Sequence, residues 1–82
     1  MASLIDPVKH AELIRLQRES FARFAALDTF DGDDSERPAL REAARQAAAE
    51  KDAALYESGL VSEHGYFAAS QDLMRAARAD DA

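Results

Sequence analysis

Apolar residues recur along this chain in three stretches, each at the spacing of a helix face. In the first, Leu13, Ile14, Leu16, Phe21, Phe24 and Leu27 share one broad side at about 100° per residue. Glu12, Arg15, Arg18, Glu19 and Arg23 occupy the other side. The pattern predicts a helix from about Pro7 to Leu27. Asp6-Pro7 marks its start, because aspartate accepts from free backbone amides and proline at the first helical position forfeits no hydrogen bond. Glu19 and Arg23 stand in the favourable four-residue ion-pair orientation. The residues ahead, Met1 to Ile5, read as a frayed arm.

The second stretch presents a face made almost wholly of alanine: Leu40, Ala43, Ala44, Ala47, Ala48, Ala54 and Leu55, with Lys51 interrupting. Alanine has the highest helix propensity, so a helix is expected from about Glu36 to Glu57. Between the two helices, Asp28 to Ser35 gathers Asp, Gly and Ser, which are turn formers. Gly59 is placed to take the left-handed conformation that closes a helix, with Leu60 packing back on Leu55 in a Schellman cap. Ser62 is the expected cap of a third helix, about Glu63 to Arg78, in which Gly65 weakens the first turn. Tyr66, Phe67, Leu73, Met74 and Ala77 share its face, with Ser70 among them. Asp80 to Ala82 are expected to fray.

No strand-like alternation or internal repeat is present. The fold class is therefore all-α, one domain over residues 1–82. An antiparallel helical hairpin, large residues against alanine, carries a shorter third helix and makes a three-helix bundle. At 82 residues such a chain leaves much apolar surface wet, and dimerisation into a larger bundle would cover it. Phe21, Phe24, Tyr66, Phe67 and Met74 are the expected core or interface anchors, and Ala47 marks the close approach of the helices. Gln17, Ser20, Lys51 and Ser70 interrupt apolar faces, either as register-fixing seam residues or as a wet margin.

Charge and cysteine count narrow the field. The formal net charge is −6 and cysteine is absent. An acidic surface disfavours nucleic acid and anionic membranes as partners. No apolar stretch approaches the ~18 residues of a membrane span, and the first thirty residues lack the apolar core of a secretory signal. The absence of cysteine fits a reducing compartment, so a cytoplasmic location is expected.

Candidate chemistry is thin. Asp31, Asp33 and Ser35 have the one-three-five spacing of a calcium loop, with Glu42 at the twelfth position, which raises a calcium-responsive module. Glu36 stands at the sixth position, where that loop takes glycine, and Pro38 at the eighth. The simpler reading is a turn whose acids cap the next helix. Asp6 and His10, four apart, could face one ion, but zinc takes three or four protein ligands. His64 is expected on an exposed first turn. Serine has no base and acid arranged beside it, and no glycine-rich phosphate loop occurs. No catalytic residue, cofactor site or metal site is expected. Arg37, Arg41 and Arg45 form a four-residue row that either grips an acidic partner or pairs with acids on a neighbouring helix.

Two resemblances add context. Phe30-Asp31-Gly32 resembles a variant of the Trp-x-Gly turn in the helical-hairpin substrates of type VII secretion, which would imply export. The Tyr-x-x-x-Asp/Glu signal of that family has no counterpart, since Tyr56 is followed four places on by Leu60 and Tyr66 by Ser70. At whole-chain level the sequence is similar to short alanine- and arginine-rich actinobacterial proteins of unknown function. The matching residues are Glu12-Leu13-Ile14-Arg15-Leu16-Gln17-Arg18-Glu19, Arg41-Glu42-Ala43-Ala44, Ser58-Gly59, Tyr66 and Arg75-Ala76-Ala77-Arg78. That resemblance implies a compact cytoplasmic helical protein and carries no activity or site with it. The expected function is a non-enzymatic interaction module or accessory subunit, homodimeric or bound to another protein.

Overall fold

A computed structural model describes residues 3–79. Within them the chain is helical throughout its regular structure: α1 (Ala11–Asp28), α2 (Arg37–Glu57), α3 (Leu60–His64) and α4 (Tyr66–Ala79), with a 3-10 turn, Asp34–Glu36, leading into α2. The helices α1 and α2 pack along each other most extensively, and α4 packs on α1. The short α3 bridges α2 and α4.

The N-terminal arm departs from expectation. Met1 and Ala2 lie outside the described residues, but Leu4 and Ile5 are packed rather than frayed. Ile5 is 4% exposed within the main core cluster, and Leu4 lies against that cluster. The Leu4 amide donates to Asp72 Oδ2 of α4 at 2.9 Å, and the Ile5 amide donates to Ser3 Oγ at 3.1 Å. Two apolar side chains and one long-range hydrogen bond thus strap the arm to α4.

Asp6 caps as expected, its Oδ1 accepting from the Val8 and Lys9 amides at 2.9 and 3.1 Å. What it caps is a single turn, because His10 has non-helical torsions (φ −107°, ψ 28°) and α1 proper starts at Ala11. The Asp6 amide donates to His10 Nδ1 at 2.9 Å, so the His10 ring is spent on the Asp6 backbone and the Asp6 carboxylate on the Val8 and Lys9 amides. At the other end, Thr29 closes α1 by donating through both its amide and its hydroxyl to the Ala25 carbonyl.

The third helix divides in two, making four helices rather than three. Gly65 sits at φ +87°, ψ 152°, a region open essentially to glycine alone, and this interrupts the helix between His64 and Tyr66. Gly59 is left-handed at φ +86° as expected, and it also begins α3. Its amide reaches the Tyr56 carbonyl at 3.3 Å, one of the two Schellman bonds. In place of the other, Ser58 Oγ donates to the Leu55 carbonyl at 2.6 Å and accepts from the Leu60 amide at 3.2 Å. A hydroxyl therefore stands inside the cap, while Leu55 and Leu60 join the same buried cluster. Ser62 is not a cap: it lies within α3 and donates to the Gly59 carbonyl. His64 is exposed, but on the last residue of α3 rather than a first turn. Residues Asp80 to Ala82 lie outside the described residues.

The core is concentrated at one end. Ile5, Leu13, Ile14, Leu55, Leu60, Ala69, Leu73 and Ala77 form the main cluster, with Leu55 and Leu73 fully enclosed. Farther along α2, Ala44 and Ala47 are buried, so the alanine face is a packed face over its middle. Beyond that, from Phe21 to Ala43, no residue is buried. The hairpin tip therefore projects with only two helices to cover it. Accordingly the radius of gyration, 14.0 Å, exceeds the about 12 Å typical of a compact chain of this length.

All four polar interruptions are buried. Gln17, Ser20, Lys51 and Ser70 belong to the seam and not to a wet margin. Lys51 Nζ reaches Asp52 Oδ1 at 2.9 Å while its stem lies inside. Gln17 is 3% exposed, and among the described residues its Oε1 finds no hydrogen-bond partner.

Candidate functional site

The residues singled out as anchors do not converge on one place. Ala47 is buried, and Phe21 and Met74 are half-buried. The Phe21 ring lies beneath the Arg78 guanidinium at 4.7 Å, and Arg18 Nε holds the Ala77 carbonyl at 3.1 Å, so both side chains fasten α4 to α1. Phe24, Tyr66 and Phe67 are exposed and are not core. The stripe that packs from α4 is Ala69, Ser70, Leu73 and Ala77 instead.

Tyr66 and Phe67 lie where α2, α3 and α4 meet. The break at Gly65 separates α3 from α4, whose first two residues are Tyr66 and Phe67. Phe67 is 77% exposed there, an extreme value for a phenylalanine. Tyr66 stacks on Tyr56 of α2, ring centres 5.9 Å apart and planes inclined by 22°. Its hydroxyl donates to Asp52 Oδ1 at 2.9 Å, the same oxygen that meets Lys51. Stacking and hydrogen bond together fix the two tyrosine rings in orientation while leaving Tyr56 58% exposed. Tyr56 was not among the expected anchors. Its signal was available in the sequence: it lies four residues after Asp52, hence on the same helix face.

The acidic turn is used for structure. Asp33 Oδ1 accepts from the Ser35 amide at 3.0 Å, and Asp34 Oδ1 accepts from Arg37 Nε at 3.0 Å. The Phe30 ring folds over Gly32, so close that a Cβ there would lie 2.6 Å from the ring. Arg37 covers the other side, its guanidinium 5.4 Å from the ring centre and hydrogen-bonded to the Phe30 carbonyl. Phe30 thus closes the turn and not the core. Of the arginine row, Arg37 and Arg45 pair with Asp34 and Glu42, acids three residues away along the chain and not on a neighbouring helix.

The remaining features are local. An open groove of about 470 Å³ runs beside the arm, lined by Ile5, Ala11, Ile14, Ala76, Arg18 and Arg75. Arg75 there is engaged by Asp72 Oδ1 at 2.7 Å. Hydrogen bonds from the Lys9 and Val8 amides hold the Asp6 carboxyl below its ordinary value, and the hydrogen bond from Arg15 does the same for Glu12. Among the described residues, no group of three or more His, Asp or Glu could hold a metal ion, and no helix is long and apolar enough to cross a membrane. No family model, curated protein or solved structure matches the chain.

Proposed function

We propose that this chain is a non-enzymatic, cytoplasmic interaction module: a helical domain in which the hairpin and the broken third segment act as a three-part bundle and present an aromatic platform. The platform, Tyr56, Tyr66 and Phe67, is covered by another protein or by a second copy of the chain. The observation that carries this reading is the exposure of Phe67, 77%, beside two tyrosines held rigid by stacking and a hydrogen bond. Aromatic anchors dominate the energy of protein interfaces, and a fixed ring loses little conformational freedom on binding.

Native mass spectrometry of the protein taken gently from its own cells tests the reading. A dimer or a stoichiometric complex that is lost in Phe67→Ser is the expected result. A monomer at its natural abundance, with or without Phe67, would refute it.

A further inference from the structure

Among the described residues, Arg41 is the member of the α2 arginine row without a counter-charge. Arg37 and Arg45 hold Asp34 and Glu42. Arg41 has arginine four residues away on either side, and Pro38 and Ala44 three away, so no acid lies within its reach along the helix. It has no ion-pair or hydrogen-bond partner among the described residues. Like charges at this spacing repel, so the row costs the isolated chain stability.

The same flank of α2 continues from Arg41 through Arg45, Ala48, Ala49, Asp52 and Tyr56. By helix geometry these positions fall within an arc of about 100°, beside the buried stripe of Ala44, Ala47, Lys51 and Leu55. The flank is open: Arg41, Arg45, Ala49 and Tyr56 are exposed, and Ala48 and Asp52 are half-buried. Arginines stand at its N-terminal end, alanines in the middle, and a carboxylate and a ring at its C-terminal end. Such a face complements itself when reversed. Antiparallel pairing about a twofold axis between residues 48 and 49 sets Arg41 against the partner's Tyr56, Arg45 against the partner's Asp52, and Ala48 against the partner's Ala49. Alanine at the crossing lets the two helix axes approach to about 8 Å. Tyr56 stacks on Tyr66 and carries no cation among the described residues, whereas Phe21 and Phe30 each carry one. Asp52 is already held through Oδ1 by Lys51 and Tyr66, so the ring is the chief counterpart and the carboxylate the lesser one.

We infer that two copies of this chain pair antiparallel along Arg41 to Tyr56 of α2, each Arg41 lying over the other copy's Tyr56. The inference rests on the reading of this chain as an interaction module and names a second copy as the cover of Tyr56. The net charge of −6 on each copy repels at long range and is screened over about 8 Å at physiological ionic strength. A guanidinium over a ring acts at contact.

The test is sedimentation equilibrium of the full chain, with cysteine crosslinking to read the register. The parent is expected to dimerise in the micromolar range. Arg41→Glu should weaken the dimer by about tenfold or more, because symmetry makes one substitution count at two contacts. Arg23→Glu, the same change of charge on α1, should leave it within about twofold. The chain has no cysteine, so introduced ones report position. Ala48→Cys mixed with Ala49→Cys should oxidise to a covalent dimer, the two positions facing each other across the axis. Ala39→Cys mixed with Ala53→Cys, on the far side of α2, should not.

A dimer that survives Arg41→Glu, or that crosslinks through positions 39 and 53 instead, would overturn this face. If that dimer is lost in Phe67→Ser, the interaction module stands with a different arrangement. A chain that stays monomeric across the range overturns the inference, and native mass spectrometry from cells then decides the reading beneath it. A Phe67-dependent complex with another protein would keep the module, and a monomer there would end both.

Discussion

Truncating Ile5 to alanine should cost this protein a large share of its stability, although Ile5 lies outside every helix. The side chain is 4% exposed in the same cluster as Leu13, Leu55 and Leu73. Ile5→Ala removes three carbon groups. At about 0.8 kcal/mol each, the lost transfer free energy is about 2.4 kcal/mol, and the unfilled space raises the total to about 3 kcal/mol. A chain of this length is stabilised by about 4–12 kcal/mol, so the variant gives up a quarter or more of that. With about 4–8 °C per kcal/mol for a domain of this size, the midpoint should fall by about 12–24 °C. The assay is thermal unfolding by circular dichroism, checked by urea titration for two-state behaviour. Val8→Ala is the control: three residues farther on but 88% exposed, it should change stability by less than about 0.5 kcal/mol. If Ile5→Ala melts within a degree or two of the parent, the arm is not part of the core and the argument from burial fails.

Gly65→Ala should destabilise by about 1–3 kcal/mol, because φ +87° with ψ 152° is strained for any residue bearing a Cβ although space around it is open; an unchanged melting point would mean that α3 and α4 join in some other way. Ala47→Met should cost about 1–3 kcal/mol by overpacking the buried middle of α2, read by the same melts, and no loss would mean that the alanine face is not a packed seam. The Asp6 carboxyl is held below its ordinary value of 3.8, so the stability it contributes is complete above that pH and is lost as the pH falls through its lower folded value. Melting points followed from about pH 5 to about pH 2 should therefore decline less steeply in Asp6→Asn than in the parent, and parallel curves would remove Asp6 from the acid response.

What could be read from the sequence was what local chemistry decides. The three helical stretches, the Asp6 cap, the acidic turn, the Glu19–Arg23 pair and the left-handed Gly59 all follow from residues within a few positions of one another. The features that escaped depend on distant partners. Leu4 and Ile5 carry no periodicity, and their place depends on a cluster built from several helices and on Asp72 of α4, nearly seventy residues away. Gly65 is one glycine beside an apolar stripe, and nothing in its neighbours announces the φ of +87° that interrupts the helix between His64 and Tyr66. Gln17, Ser20, Lys51 and Ser70 were ambiguous by type, because burial of a polar side chain is settled by what lies across the seam. Tyr56 shares a helix face with Asp52 four residues earlier, a local signal that names no partner. Its significance appears when Tyr66 stacks on it.

On the proposed function, the aromatic platform is a covered surface in the working protein. Hydroxyl-radical footprinting reads this directly, comparing the protein inside its own cells with the purified chain at nanomolar dilution. Oxidation of Phe67 and Tyr56 should be several-fold lower in cells, while Val8, exposed and remote from the platform in sequence, should react equally in both. If Phe67 is as reactive in cells as in the dilute purified chain, nothing covers the platform, and the protein is not the interaction module argued for here.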